Sequence, residues 1–257
     1  MSLIQFKIQD RIGTIAFDDY QKRNALSADL IAEMIKALKR IEAEKAKVVI
    51  LRSSSNNPVW SSGHDISELP RANEDPLPYN DPLEQVLRTI RHHSAPVIAM
   101  VHGSVWGGAC DLAMNCDMII ADETCAFAVT PAMLGLPYNV SGIQSFLKRV
   151  PINIVREMFF TADPIDSKRA LNFGLVNRLV AQEELESTTY EIARTICLRS
   201  AQSIMAFKEQ ARVLLASSAL SPETFEHIQQ LRKDVYHGRD YNEGVEAFLE
   251  KRKPVFG

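Results

Sequence analysis

The chain has 257 residues, 46% of them hydrophobic and 24% charged, which is enough to bury a sizeable core and is ordinary for a globular protein. That balance excludes a disordered chain, a collagen-like repeat and a disulfide scaffold. The formal net charge of −3 comes from 29 basic and 32 acidic residues mixed along the chain, a poor electrostatic footprint for nucleic acid or an anionic membrane.

No apolar run approaches the ~18–20 residues of a membrane span. Lys7, Asp10 and Arg11 interrupt the N-terminus before a signal-peptide core forms. The expectation is a cytosolic protein with neither a membrane nor a nucleic-acid partner. Cys110, Cys116, Cys125 and Cys197 form no CxxC pair and have no histidine at metal-ligand spacing. His92 and His93 are adjacent, so on a helix they diverge by about 100°. Buried free thiols and no metal are expected.

In chain order, Leu3, Ile4, Phe6 and Ile8, then Ile12, Ile15 and Phe17, are β-prone runs interrupted by Asp10, Arg11 and Gly13, which predicts a hairpin. Ser27 is a candidate N-cap before Leu30, Met34, Ile35, Leu38 and Ile41 at helical spacing. Residues 48–51, ValValIleLeu, have the length and continuous apolarity of a strand covered on both faces. Loops rich in Ser, Asn and Pro are expected over 53–65 and 69–82, of a size that is usually functional or mobile. Leu83, Val86, Leu87 and Ile90 predict an amphipathic helix. A buried strand at 96–101, a GlyGly pair at 107–108 opening a helix, and a strand at 118–121 follow. This alternation argues for an α/β core with crossover units.

After Val140 the pattern is helical almost throughout, over 143–150, 152–160, 167–173, 183–199 and 203–217, with two further helices reaching Lys251. It suits a helical cap or oligomerisation layer. The expected division is a core over 1–190 and a C-terminal helical segment over 191–257.

Two glycine-containing segments each follow a predicted strand: TrpSerSerGlyHisAspIle at 60–66 and GlySerValTrpGlyGlyAla at 103–109. Ligands of open α/β sheets collect outside the carboxyl ends of the strands, so the two can converge on one pocket. Backbone N–H groups freed by glycine turns, with a helix N-terminus behind one of them, make an anion or oxyanion site. Singly, each segment also reads as a tight turn. Neither is a P-loop and neither matches GxGxxG, which removes the usual support for nucleotide hydrolysis and dinucleotide binding.

ArgAsnAlaLeuSer at 23–27, SerSerGlyHisAspIle at 61–66, GlySerValTrpGlyGlyAla at 103–109 and AlaPheLeuGluLysArgLysProValPhe at 247–256 resemble, in order and spacing, the crotonase (enoyl-CoA hydratase/isomerase) superfamily over essentially the full chain. The resemblance implies an α/β, crotonase-like (ClpP/crotonase) fold of repeated ββα units with a C-terminal helical oligomerisation region. It also implies a homotrimer or dimer of trimers and an acyl-CoA thioester substrate. No metal, biotin or pyridoxal is implied, coenzyme A being part of the substrate. ThrProAlaMetLeuGlyLeuProTyrAsn at 130–139 and the Pro-rich 75–83 resemble the branch of that family that decarboxylates methylmalonyl-CoA to propionyl-CoA.

Carried over residue by residue, the resemblance makes the backbone amides of His64 and Gly108 an oxyanion hole for the thioester. Fixed donors of that kind stabilise the charge that develops on the carbonyl oxygen. Where hydratases of the family carry two glutamates, this chain has Asp111 and Ala132. An alanine neither activates water nor delivers a proton, which lowers the hydratase reading. Tyr138 is the implied carboxylate-orienting residue and Thr130 a candidate at the acyl end; alone, Tyr138 also reads as an amphipathic core residue with a satisfied hydroxyl. Asp111 is shorter than the family glutamate and also reads as a first-turn carboxylate favoured by the helix dipole. For coenzyme A the implied contacts are Lys22, Arg23, Ala25, Ser62, Gly63, Asp65 and Ile66, with Phe248 and Lys251 reaching CoA on a neighbouring subunit. The alternatives are an enoyl-CoA hydratase/isomerase with Asp111 as sole carboxylate, and a non-catalytic acyl-CoA-binding protein. The donor of the proton to the enolate is not legible.

Overall fold

The structure, a computed structural model, describes residues 2–54, 58–70, 74–216 and 221–257. It opens on the hairpin the sequence predicts: β1 (Ile4–Gln9) pairs antiparallel with β2 (Ile12–Phe17). The turn residues Asp10 and Arg11 both have positive φ, 52° and 64°, the geometry that matches a two-residue turn to strand twist. Ser27 caps α1 (Ala28–Ala43), its Oγ accepting from Leu30 N at 3.3 Å.

Three successive units then share one plan. β3 (Val48–Ser53) leads through the short β4 (Val59–Ser61) to α2 (Pro82–His92). β5 (Val97–Val101) leads through β6 (Ser104–Trp106) to α3 (Gly108–Asn115). β7 (Met118–Asp122) leads through β8 (Ala126–Ala128) to α4 (Val140–Leu147). The rest comprises α5 (Ile152–Thr161), β9 (Ile165–Asp166), α6 (Ser167–Asn172), β10 (Arg178–Val180), α7 (Leu185–Cys197), α8 (Ala201–Ala216), α9 (Pro222–Tyr236) and α10 (Arg239–Leu249). These strands form a six-stranded sheet ordered β1-β2-β3-β5-β7-β10 and a four-stranded one ordered β4-β6-β8-β9. After the hairpin, every pairing in the larger sheet is parallel. The expected repetition of ββα units is this pairing of one long and one short strand before each helix.

Period-2 alternation divides the larger sheet into two buried faces. Val49 and Leu51 point into a core with Leu30, Leu38, Val86 and Leu112. Val48 and Ile50 point the other way, against Leu185 and Ala193 of α7. The run 48–51 is apolar throughout because it is covered on both sides. Helix α7 crosses the expected division at residue 190.

Three expectations are corrected. Residues 59–61 and 104–106, read as loop, are strands of the smaller sheet. The C-terminal region, read as helical almost throughout, contributes β9 and β10. These strands have only two or three residues, too few for a periodic signal to declare itself. Within the two expected loops, residues 55–57 and 71–73 lie outside the described residues, as does Ser217 at the end of the helix expected over 203–217.

Candidate active site

After β4 the chain is stitched to the segment before α1. Ser62 N donates to Arg23 O at 3.0 Å, Leu26 N to Gly63 O at 2.8 Å, and Ser61 Oγ to Asn24 O at 2.7 Å. Gly63 has φ +85°, a conformation that favours glycine. After β6, Gly107 turns the chain at φ +50° into α3, and no side chain caps that helix. The two turns touch: a Cβ placed on Gly63 would lie 3.0 Å from Gly108 N, and one on Gly108 would lie 3.3 Å from His64 N. The amides of His64 and Gly108 therefore lie side by side, and both residues line one cavity. Among the described residues neither amide donates to a protein acceptor. Gly108 N is among the first helical amides, which have no partner within their own helix.

The cavity wall brings together His64, Gly108, Asp111, Thr130 and Tyr138, all expected from the sequence. Asp111 is only 2% exposed. It accepts from Tyr138 Oη at 3.2 Å on Oδ2 and from Asn115 Nδ2 at 3.0 Å on Oδ1. Burial, then the nearby Glu84 carboxylate, push the Asp111 pKa up to about 7, against the pull of those two donors and of the Arg91 guanidinium. Tyr138 is edge-on to Phe159, with centroids 5.2 Å apart. Burial, followed by the Asp111 charge, holds its phenol well above the usual value.

Glu84, in the first turn of α2, was not singled out by the sequence reading. It is 4% exposed and lines the same cavity. Its Oε1 accepts from Asn139 Nδ2 at 2.7 Å and Ser141 Oγ at 2.9 Å, and Arg88 Nη1 stands 3.8 Å from Oε2. The spacing Asp81-Pro82-Leu83-Glu84 has the form of a helix-capping box. Asp81 does cap α2, accepting from Leu83 N at 2.8 Å. Glu84 turns instead to the N-terminus of α4. Its one sequence signal is a carboxylate beside the apolar positions Leu83, Val86 and Leu87.

The His64 ring is held by Asp81, Nε2 to Oδ2 at 3.4 Å, and lies with Nδ1 3.1 Å from Asp65 O. Burial acts to lower the His64 pKa, but the Asp81 carboxylate outweighs it and the net shift is upward.

Of the CoA contacts implied by resemblance, Lys22, Arg23, Ala25, Ser62, Gly63, Asp65 and Ile66 come together where the segment before α1 meets the 62–66 turn. A Lys22–Asp65 ion pair at 3.3 Å joins the two. Phe248 and Lys251 sit exposed at the end of α10 and the turn after it, outside the cavity. Ala132 is exposed and likewise lines no part of it. Burial raises the thiol pKa values of Cys110, Cys116 and Cys125, the latter two to about 12.

A two-sheet core of ββα units with paired amides beside one cavity defines a class, and comparison with known proteins agrees with it. Residues 7–257 match the family model of enoyl-CoA hydratase/isomerase. The chain belongs to that family. Methylmalonyl-CoA decarboxylase of Escherichia coli (strain K12) is 43% identical over 247 residues, covering 96% of this chain and 95% of that protein. Human enoyl-CoA hydratase domain-containing protein 3, mitochondrial, is 33% identical over 252 residues, covering 96% of this chain and 81% of that protein. Among solved structures, methylmalonyl-CoA decarboxylase complexed with 2S-carboxypropyl CoA superposes with a TM-score of 0.97 at 42% identity, over 100% of this chain and 98% of that one. The same enzyme in complex with 2-nitronate-propionyl-CoA gives 0.97 at 42% identity, over 99% and 98%.

Proposed function

We propose that this protein decarboxylates methylmalonyl-CoA, or a close malonyl-CoA analogue, to propionyl-CoA or its homologue. The observation that carries the reading is the pair of unengaged amides, His64 and Gly108, in one cavity with Tyr138 and Thr130. The identity to the E. coli decarboxylase supports it.

A malonyl-type thioester needs no base to start. The bond from Cα to the carboxylate carbon breaks, carbon dioxide leaves, and the electron pair flows into the thioester as an enolate. The two amides stabilise the oxygen that becomes negative. Tyr138 and Thr130 hold the leaving carboxylate out of the thioester plane, a requirement of geometry rather than of acid strength. Leu83, Pro131, Leu134 and Leu136 line the same cavity and favour conversion of a charged group into neutral carbon dioxide.

Several finer points belong to the same proposal. The reaction requires no metal, biotin or pyridoxal, so activity persists after chelation. The protein assembles as a homotrimer or dimer of trimers; in support, α8 has no buried residue and exposes Phe207 and Leu214. It works in the cytosol.

A hydratase reading gains one observation, because Glu84 sets a second carboxylate near Asp111. Both donors to Glu84, however, already occupy Oε1, and Ala132 stands outside the cavity. Crotonyl-CoA and methylmalonyl-CoA offered side by side to the purified protein decide the matter. Carbon dioxide release with propionyl-CoA formation is the expected result. Hydration without carbon dioxide overturns it, as does tight thioester binding without any turnover.

A further inference from the structure

Loss of carbon dioxide leaves an enolate that needs a proton at Cα. We propose that Asp111 supplies the proton that replaces the lost carboxyl group, and that Glu84, from the neighbouring helix, is the positioning residue that leaves that proton on Asp111. This assignment rests on the decarboxylase reading above.

The two carboxyl groups line one cavity and both are buried, at 4% and 2% exposure. Two such groups sharing a low-dielectric site do not both ionise easily. Their partners decide which one carries the charge. Glu84 has two donors on one oxygen and the Arg88 guanidinium 3.8 Å from the other. Asp111 has only the neutral donors Tyr138 and Asn115. The Arg91 guanidinium donates to Asn115 Oδ1 at 2.8 Å and pulls the Asp111 pKa down through space, but by less than burial and Glu84 raise it. Tyr138 is a rotatable hydroxyl that accepts from a protonated Asp111 as readily as it donates to an ionised one.

The other groups facing Asp111 are poorer donors. Tyr138 is made a weaker acid by burial and by the Asp111 charge, and burial pushes the Cys110 thiol up as well. Across the cavity the His64 ring is tied to Asp81 and sits against Asp65 O. With its pKa pushed up to about 7, Asp111 keeps its proton into the neutral range, the range in which a general acid works best.

The step balances. The Asp111 O–H bond breaks and a C–H bond forms at Cα. The enolate electrons close the C–H bond and restore the thioester carbonyl. Asp111 is left ionised, and a proton from solvent resets it.

The test is the face of Cα that receives deuterium when methylmalonyl-CoA is turned over in D2O. Wild type should give one enantiomer of 2-deuteriopropionyl-CoA at pH 6 and lose that preference as pH rises. In whatever propionyl-CoA Asp111→Asn forms, both faces should be labelled equally. Glu84→Gln should shift the midpoint of the loss downward by about one pH unit, a change that a merely structural role would not produce. Infrared difference spectra of wild type minus Asp111→Asn at pH 6 should contain the C=O stretch of a protonated carboxylic acid, a reading independent of how Glu84→Gln folds. One-sided labelling by Asp111→Asn, an unmoved midpoint in folded Glu84→Gln, or no carboxylic acid band overturns the assignment. Absence of carbon dioxide release by wild type takes down the decarboxylase reading and this assignment with it.

Discussion

Gly63 lies directly against the backbone of Trp106: a Cβ at position 63 would press into the Trp106 carbonyl oxygen. That approach brings the turn after β4 onto the turn before α3, and with it the His64 amide beside Gly108.

Gly63→Ala should therefore damage catalysis before it damages the fold. The alanine must hold φ near +85° and push the two turns apart, with strain of order 1–3 kcal/mol. If one amide leaves the thioester oxygen, carbon dioxide release should fall ~10²–10³-fold. Steady-state kinetics beside a melting curve check it; full activity in a folded variant would remove the amide pair from the mechanism.

Tyr138→Phe keeps the edge-on packing on Phe159 and deletes the hydroxyl. The expected result is a fall in kcat of ~10–10²-fold, since hydrogen bonds to charged groups contribute about 1.5–3 kcal/mol, with KM for the thioester within about threefold of wild type. Equal changes in both would make the tyrosine a binding residue only.

The raised Asp111 pKa makes a signed prediction about stability. The folded protein holds this proton to about pH 7, whereas an ordinary aspartate releases it near 3.8. Stability from this group is complete below the lower value, declines as pH rises between the two, and is lost above the upper one. The melting temperature of wild type minus that of Asp111→Asn should fall from pH 4 to pH 8 and then level off. The span corresponds to a few kcal/mol, as an order of magnitude. Calorimetry of both proteins across that range measures it, and a flat difference contradicts it.

Arg232 of α9 is buried and makes a two-pronged ion pair with Asp75, with a further bond to Leu77 O at 3.3 Å. Leu77 lines the cavity, so the C-terminal helices hold part of its roof. Arg232→Met leaves the partly exposed Asp75 without its cation and should cost about 1–3 kcal/mol of stability while raising KM more than it lowers kcat. Urea unfolding and substrate titration separate the two effects.

Apart from β10, the larger sheet was legible in the sequence because its strands are long or fully apolar; Val48 to Leu51 declare themselves without help. The second sheet was not, because a three-residue strand such as Val59–Ser61 carries no period. At the site, His64, Gly108, Thr130 and Tyr138 were legible as ordered segments and do meet in one cavity. Glu84 was hidden by a spacing that reads as a helix cap. Its partners, Asn139 and Ser141, lie 55 and 57 residues away, a separation that local patterns do not span.

Gly108 and Asp111 stand three residues apart on α3, so about 4.5 Å of helical rise separates them along one rigid rod. A tilt of α3 that moves the amide toward the thioester carries the carboxyl group with it. Charge capture and proton return are thus geared together, and a substitution in the packing beneath this helix will retune both at once rather than trade one against the other.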